Sequence, residues 1–129
     1  MAGMKPEIKA QWLADLRSDK FPQINGRLSD GEGYCCLGVL CEQAVKAGVV
    51  TKTKTAYGAV YGNDDSRSEA VLPRAVLEWA GLEDADPTVT LVVEDEDYGP
   101  EETTVGLSEA NDDYGKTFRA IADLIDEQL

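Results

Sequence analysis

Apolar residues recur at helical spacing in several stretches of this chain, and β-branched residues gather in two others. Ile8, Trp12, Leu13 and Leu16 form one stripe, and Pro6 suits a first helical position, so a helix is predicted from Pro6 to Ser18. Lys20-Phe21-Pro22 ends it. Leu37, Leu40, Cys41, Ala44 and Val45 fall on one wide face of a second helix, from Cys35 to Ala47. Gly48 suits its C-terminal end, after Lys46, whose charge complements the helix dipole. A shorter helix runs from Leu72-Pro73 through Trp79 and Ala80 to Gly81, and Ser108 is placed to cap another. Phe118, Ile121, Ala122, Ile125 and Leu129 mark the last helix, with Thr117 as its cap.

Between the helices, Ile24 to Leu28 reads as a short strand, and Ser29-Asp30-Gly31-Glu32-Gly33 is turn chemistry. Val49 to Tyr61 reads as one or two strands interrupted at Gly58, and Thr88 to Val93 is the clearest strand. Asn63 to Ser68 is expected to be a polar loop, and residues 94–104, with Gly99-Pro100, an acidic one. The expected fold is α+β: one compact domain over 1–129, with four or five helices around a small antiparallel sheet and a flexible start over 1–4. No stretch approaches the roughly 20 apolar residues of a membrane span, and the N-terminus lacks the apolar core of a secretory signal. A soluble, cytoplasmic protein is the expectation.

Charge changes this picture from a fold to a list of partners. Residues 1–62 hold eight Lys or Arg against six Asp or Glu, +2; residues 63–129 hold four against nineteen, −15. The acidic half should repel phosphate backbones and attract basic surfaces. Glu94, Asp95, Glu96, Asp97, Glu101 and Glu102 are its densest run and the candidate partner-binding surface. The pattern of a calcium-binding loop is absent from it. Residues 107–125 have the outline of a helix-turn-helix, but residues 107–129 hold six acids against Lys116 and Arg119, so no direct DNA binding is expected.

Cys35, Cys36 and Cys41 lie within seven residues. A disulfide between adjacent cysteines is strained, and a structural zinc site needs four ligands, in a chain that has no histidine. Without a base to lower a thiol pKa there is no nucleophile either. Reduced, packed thiols are therefore expected, with no metal, no cofactor and no catalytic residue. A second candidate site gathers cations and aromatic rings of the N-terminal half: Arg17, Gln23, Arg27 and Tyr34, with Trp79 and Asn111. Guanidinium forks and rings suit a nucleotide-type small molecule, although no glycine-rich phosphate loop is present.

Three blocks carry a resemblance. They are Trp12-Leu13-Ala14-Asp15-Leu16-Arg17-Ser18 with Gln23 and Leu28; Tyr34-Cys35-Cys36-Leu37-Gly38-Val39-Leu40-Cys41-Glu42; and Leu107-Ser108, Asn111-Asp112, Gly115-Lys116 and Phe118 leading to Ile121-Ala122-Asp123-Leu124-Ile125. In these the chain resembles a widespread group of small tailed-bacteriophage proteins, with a weaker match over Leu72–Leu82 and a departure at Ala110, where the group has Leu. The resemblance implies an accessory gene expressed in the host cytoplasm and brings no catalytic residues with it. The expected function is binding rather than catalysis: a counter-defence inhibitor that occupies a host defence or regulatory protein with a basic surface. Sequestration of a nucleotide-type immune signal and a minor virion role are the alternatives, and a second copy of the chain is a further candidate partner.

Overall fold

The computed structural model describes residues 4–64 and 66–129, and helix α2 (Cys36–Lys46) lies at its centre. Cys36 through Cys41 and Ala44 are all buried, more than the one face the periodicity predicts. A helix apolar around its girth has to be enclosed, and α1 (Pro6–Arg17), α3 (Arg74–Ala80) and α4 (Leu107–Asp112) pack around it. The predicted stripe of α1 is buried, and the Trp12 indole donates to the Cys36 carbonyl at 2.9 Å, which satisfies the one polar atom of that buried ring. Helix α5 (Phe118–Gln128) closes on α1 through Phe118, Ile121, Ala122 and Ile125, and Thr117 caps it by accepting from the Ala120 amide at 3.2 Å.

Two antiparallel sheets flank the helices. In the first, β1 (Thr51–Thr55) pairs with β2 (Gly58–Gly62), which pairs with the two-residue β3 (Arg67–Ser68) inside the expected polar loop. Gly58 opens β2 rather than interrupting a strand. The second sheet is β4 (Thr88–Asp95) with β5 (Gly99–Gly106), in register from Thr88 opposite Gly106 to Asp95 opposite Gly99. The α+β expectation is thus met, among the described residues, by five helices and two small sheets.

Four local expectations are corrected. Residues 94–104 are not a loop but the end of β4, its turn and most of β5, because a complete ladder offsets the poor strand propensity of the acids. Ile24 to Leu28 forms no strand, only isolated bridges of Gln23 and Ser29 to Tyr34, because the Leu28 backbone is engaged elsewhere. Its N–H donates to Glu69 at 2.8 Å and its carbonyl accepts from Cys35 at 3.1 Å. Ser108 lies inside α4 instead of capping it. The cap comes from Asp86, which accepts from the Ser108 N–H at 3.0 Å and from its hydroxyl at 2.5 Å. Met4, expected within a flexible start, is buried in the core, because the Lys5 N–H donates to the Ala80 carbonyl at 2.8 Å. Residues 1–3 lie outside the described residues.

Candidate functional site

The β4–β5 hairpin has one anchored face and one free face. Along β4 the burial alternates: Thr88, Thr90, Val92 and Glu94 are exposed, Val89 and Leu91 are buried, and Val93 is half-buried. Leu91 and Val105 pack with Ala110 into a small core that Val93 and Leu124 cover, and this holds the hairpin against α4 and α5. Period-two alternation then sends Glu94 to the opposite, solvent-facing side, and the register sets Glu102 beside Val92 there. Glu96, Asp97 and Glu101 are also exposed, and Tyr98 at the turn is 85% exposed. The side chain of Asp95 lies outside the described residues.

Several cations elsewhere in the molecule are matched to other acids. Arg17 pairs with Asp123 at 2.8 Å, Arg27 with Glu69 at 3.2 Å, Lys52 with Glu42 at 3.1 Å and Arg119 with Asp19 at 2.6 Å. Among the described residues no salt bridge reaches Glu94, Glu96, Glu101 or Glu102. Unmatched carboxylates of one sign gathered on one hairpin add their fields over it.

The proposed nucleotide site is dispersed. Arg17 reaches α5, where the hydrogen bond to Asp123 raises its pKa. The Arg27 fork turns to Glu69 and to the Ser29 carbonyl. Gln23 and Asn111 do come together, Nε2 to Oδ1 at 2.8 Å, but Asn111 is 1% exposed. Gln23 borders a cleft of about 350 Å³ with Leu16, Asp19, Phe21, Thr117, Phe118 and Arg119, and none of the other five candidates joins it there. Trp79 is half-buried against the main core.

A cluster that sequence reasoning missed joins α2 to the first hairpin. The Lys52 ammonium lies 5.1 Å from the Tyr34 ring centre and 5.8 Å from that of Tyr61, and it pairs with Glu42. Tyr61 donates to the same carboxylate at 2.5 Å, and burial together with that charged neighbour pushes the phenol pKa up. Burial works to lower the Lys52 pKa, but the hydrogen bond and charge of Glu42 outweigh it and raise the pKa. Every charge in this cluster is answered from within it, so it ties elements together. The signal in the sequence is only Glu42 directly after the thiol block and Lys52 in a Thr-rich strand.

The three cysteines are free and buried. Burial pushes the Cys35 thiol up to about 11, and it also raises those of Cys36 and Cys41 well above their usual value. Thiols held protonated in this way are poor nucleophiles and poor ligands. Among the described residues no group of His, Cys, Asp or Glu is arranged to hold a metal ion, and no helix is long and apolar enough to cross a membrane.

With that geometry in view, the chain belongs to the family described as Domain of unknown function (DUF8296), whose model matches residues 4–129. No curated protein and no solved structure matches it.

Proposed function

We propose that this protein works by binding, presenting its acid-rich β4–β5 hairpin, with Glu94 and Glu102 on the free face, to a partner protein with a basic surface. The observation that supports this most is the isolation of Glu94, Glu96, Glu101 and Glu102, exposed on an anchored hairpin with no salt bridge among the described residues. Unmatched charge on a fixed scaffold steers a complementary surface at little cost in ordering. Tyr98 beside it offers the kind of ring that anchors interfaces. Its resemblance to small tailed-phage proteins supports a host factor, including one of host defence, as the target, with inhibition by occupation of a basic groove as the mechanism.

The test compares the wild-type chain with the variant carrying Glu94→Gln, Glu96→Gln, Glu101→Gln and Glu102→Gln as baits in bacterial lysate at low salt. The expected result is a specific protein retained by the wild type, released by salt and lost with the variant. Equal retention by both counts against this reading. Nucleotide sequestration has less support, since carboxylates already occupy the forks of Arg17 and Arg27. A rise in melting temperature with one nucleotide from a panel would reinstate it. Mass spectrometry of purified particles addresses the virion alternative.

A further inference from the structure

The two edges of the β4–β5 sheet differ. The Leu107 N–H donates to the Pro87 carbonyl at 2.9 Å, which sets the phase of the antiparallel ladder. Odd-numbered residues of β4 therefore bond to β5, and even-numbered ones direct N–H and C=O outward. At Thr90 that outward pair is already taken. Its N–H donates to Gln128 Oε1 at 2.7 Å and its carbonyl accepts from Gln128 Nε2 at 2.8 Å. The side-chain amide at the end of α5 thus occupies the place of a peptide unit from a third strand.

One step along, Val92 and Glu94 direct the same groups to the same edge, where no partner meets them among the described residues. Val92 is also 53% exposed. The other edge is blunted, because Pro100 stands at an outward position of β5 and has no N–H to offer. Beside the β4 edge a cleft of about 410 Å³ is lined by Leu91, Ala120 and Leu124, with Asp123, Glu127 and Lys116 also bordering it.

We propose that the β4 edge from Thr90 to Glu94 takes up an extended basic segment of the partner by strand addition, with Gln128 as a gate at Thr90. The inference rests on the reading of the acidic hairpin as the partner surface and names the form of segment it receives. An added strand turns alternate side chains to opposite faces. Those on the free face meet Glu94 and Glu102 and are Lys or Arg, and those on the other enter the cleft beside Leu91, Ala120 and Leu124 and are aliphatic. A second copy pairing edge to edge would set Glu94 near its own counterpart, a like-charge contact that disfavours self-association.

The test uses fluorescence anisotropy at low salt with three labelled peptides: alternating Arg-Val, alternating Arg-Gly of equal charge, and Arg-Val with every second amide N-methylated. The Arg-Val peptide should bind the wild type about tenfold more tightly than either control: against the N-methylated form through one or two net hydrogen bonds, and against Arg-Gly through its aliphatic contacts and strand propensity. Val92→Pro removes an outward N–H at a position where an edge strand tolerates proline, and it should erase the advantage of Arg-Val over its N-methylated form. Gln128→Ala should tighten Arg-Val binding about threefold by clearing Thr90.

Equal binding of all three peptides overturns strand addition and leaves the acidic-surface reading standing. If no peptide binds, or the four-glutamine hairpin variant binds as well as the wild type, both readings fail. Unchanged Arg-Val affinity in Gln128→Ala overturns the gate. Should Val92→Pro lose its near-UV spectrum, the N-methylated peptide decides alone on the wild-type chain.

Discussion

Gln23 and Asn111, 88 residues apart in sequence, are joined side chain to side chain at 2.8 Å. Each amide also holds backbone from the other's neighbourhood: Gln23 donates to the Lys116 carbonyl at 2.7 Å, and Asn111 to the Ile24 carbonyl at 2.8 Å. The pair substitutes for the strand that Ile24 to Leu28 does not form, fixing an irregular segment to the turn between α4 and α5. Replacing buried Asn111 by Ala removes its bonds to Gln23 and to the part-buried Ile24 carbonyl, so Asn111→Ala should cost about 2 kcal/mol in urea unfolding. A change within about 0.5 kcal/mol, the range of ordinary surface substitutions, would show that the tether carries no weight.

Gly38 sits where the central helix crosses the Leu28 backbone. A Cβ there would lie 2.0 Å from the Leu28 carbonyl oxygen, and that oxygen is held by the Cys35 N–H. Gly38→Ala should therefore destabilise by about 3 kcal/mol, despite the better helix propensity of alanine. Circular dichroism melting of the variant checks this, and an unchanged midpoint would mean that the segment moves aside freely.

Glu42 accepts from Tyr61 and pairs with Lys52 in a half-buried setting. Removing one member leaves the others without their partner, so Glu42→Ala should cost about 3 kcal/mol and Tyr61→Phe about 1 kcal/mol. The double variant should cost less than the sum, and additivity in that cycle would contradict a shared network.

Alkaline pH acts on the thiols. Cys35 titrates near 11 when folded, Cys36 and Cys41 are raised well above their usual value, and an unfolded thiol titrates near about 8.5. Between those limits the native state retains protons that the unfolded chain releases. Stability is thus fully present below about pH 8.5 and falls as pH rises toward 11, by up to about 1.4 kcal/mol per pH unit for each thiol. Chemical denaturation at a series of pH values measures it, and Cys35→Ala should flatten the slope. A stability profile level up to pH 10 would show that the thiols are not shielded.

The helices were legible because their apolar spacing survives in the sequence: the stripe of α1 is buried residue for residue, and that of α5 from Phe118 to Ile125, with Leu129 half-buried at its C-cap. The acidic hairpin was not, since local propensity argues against Glu and Asp in strands and only the pairing of residues 99–106 with 88–95 reveals them as one. The acids themselves were legible as a surface, and their exposure on the hairpin is consistent with that. What the sequence hid is long-range pairing. Nothing near Arg17 predicts Asp123, nothing near Gln23 predicts Asn111, and the outward amide of Val92 follows only from the register. Asp86 as the cap of α4 was hidden for the same reason.

Hydrogen–deuterium exchange of the protein with and without the partner retained from lysate tests binding through the hairpin most directly. The account predicts slowed exchange at amides of residues 92–102, reversed by salt and absent in the four-glutamine variant. Protection confined to the segments around Arg17, Arg27 and Tyr34, with the hairpin exchanging as in the free protein, would contradict it.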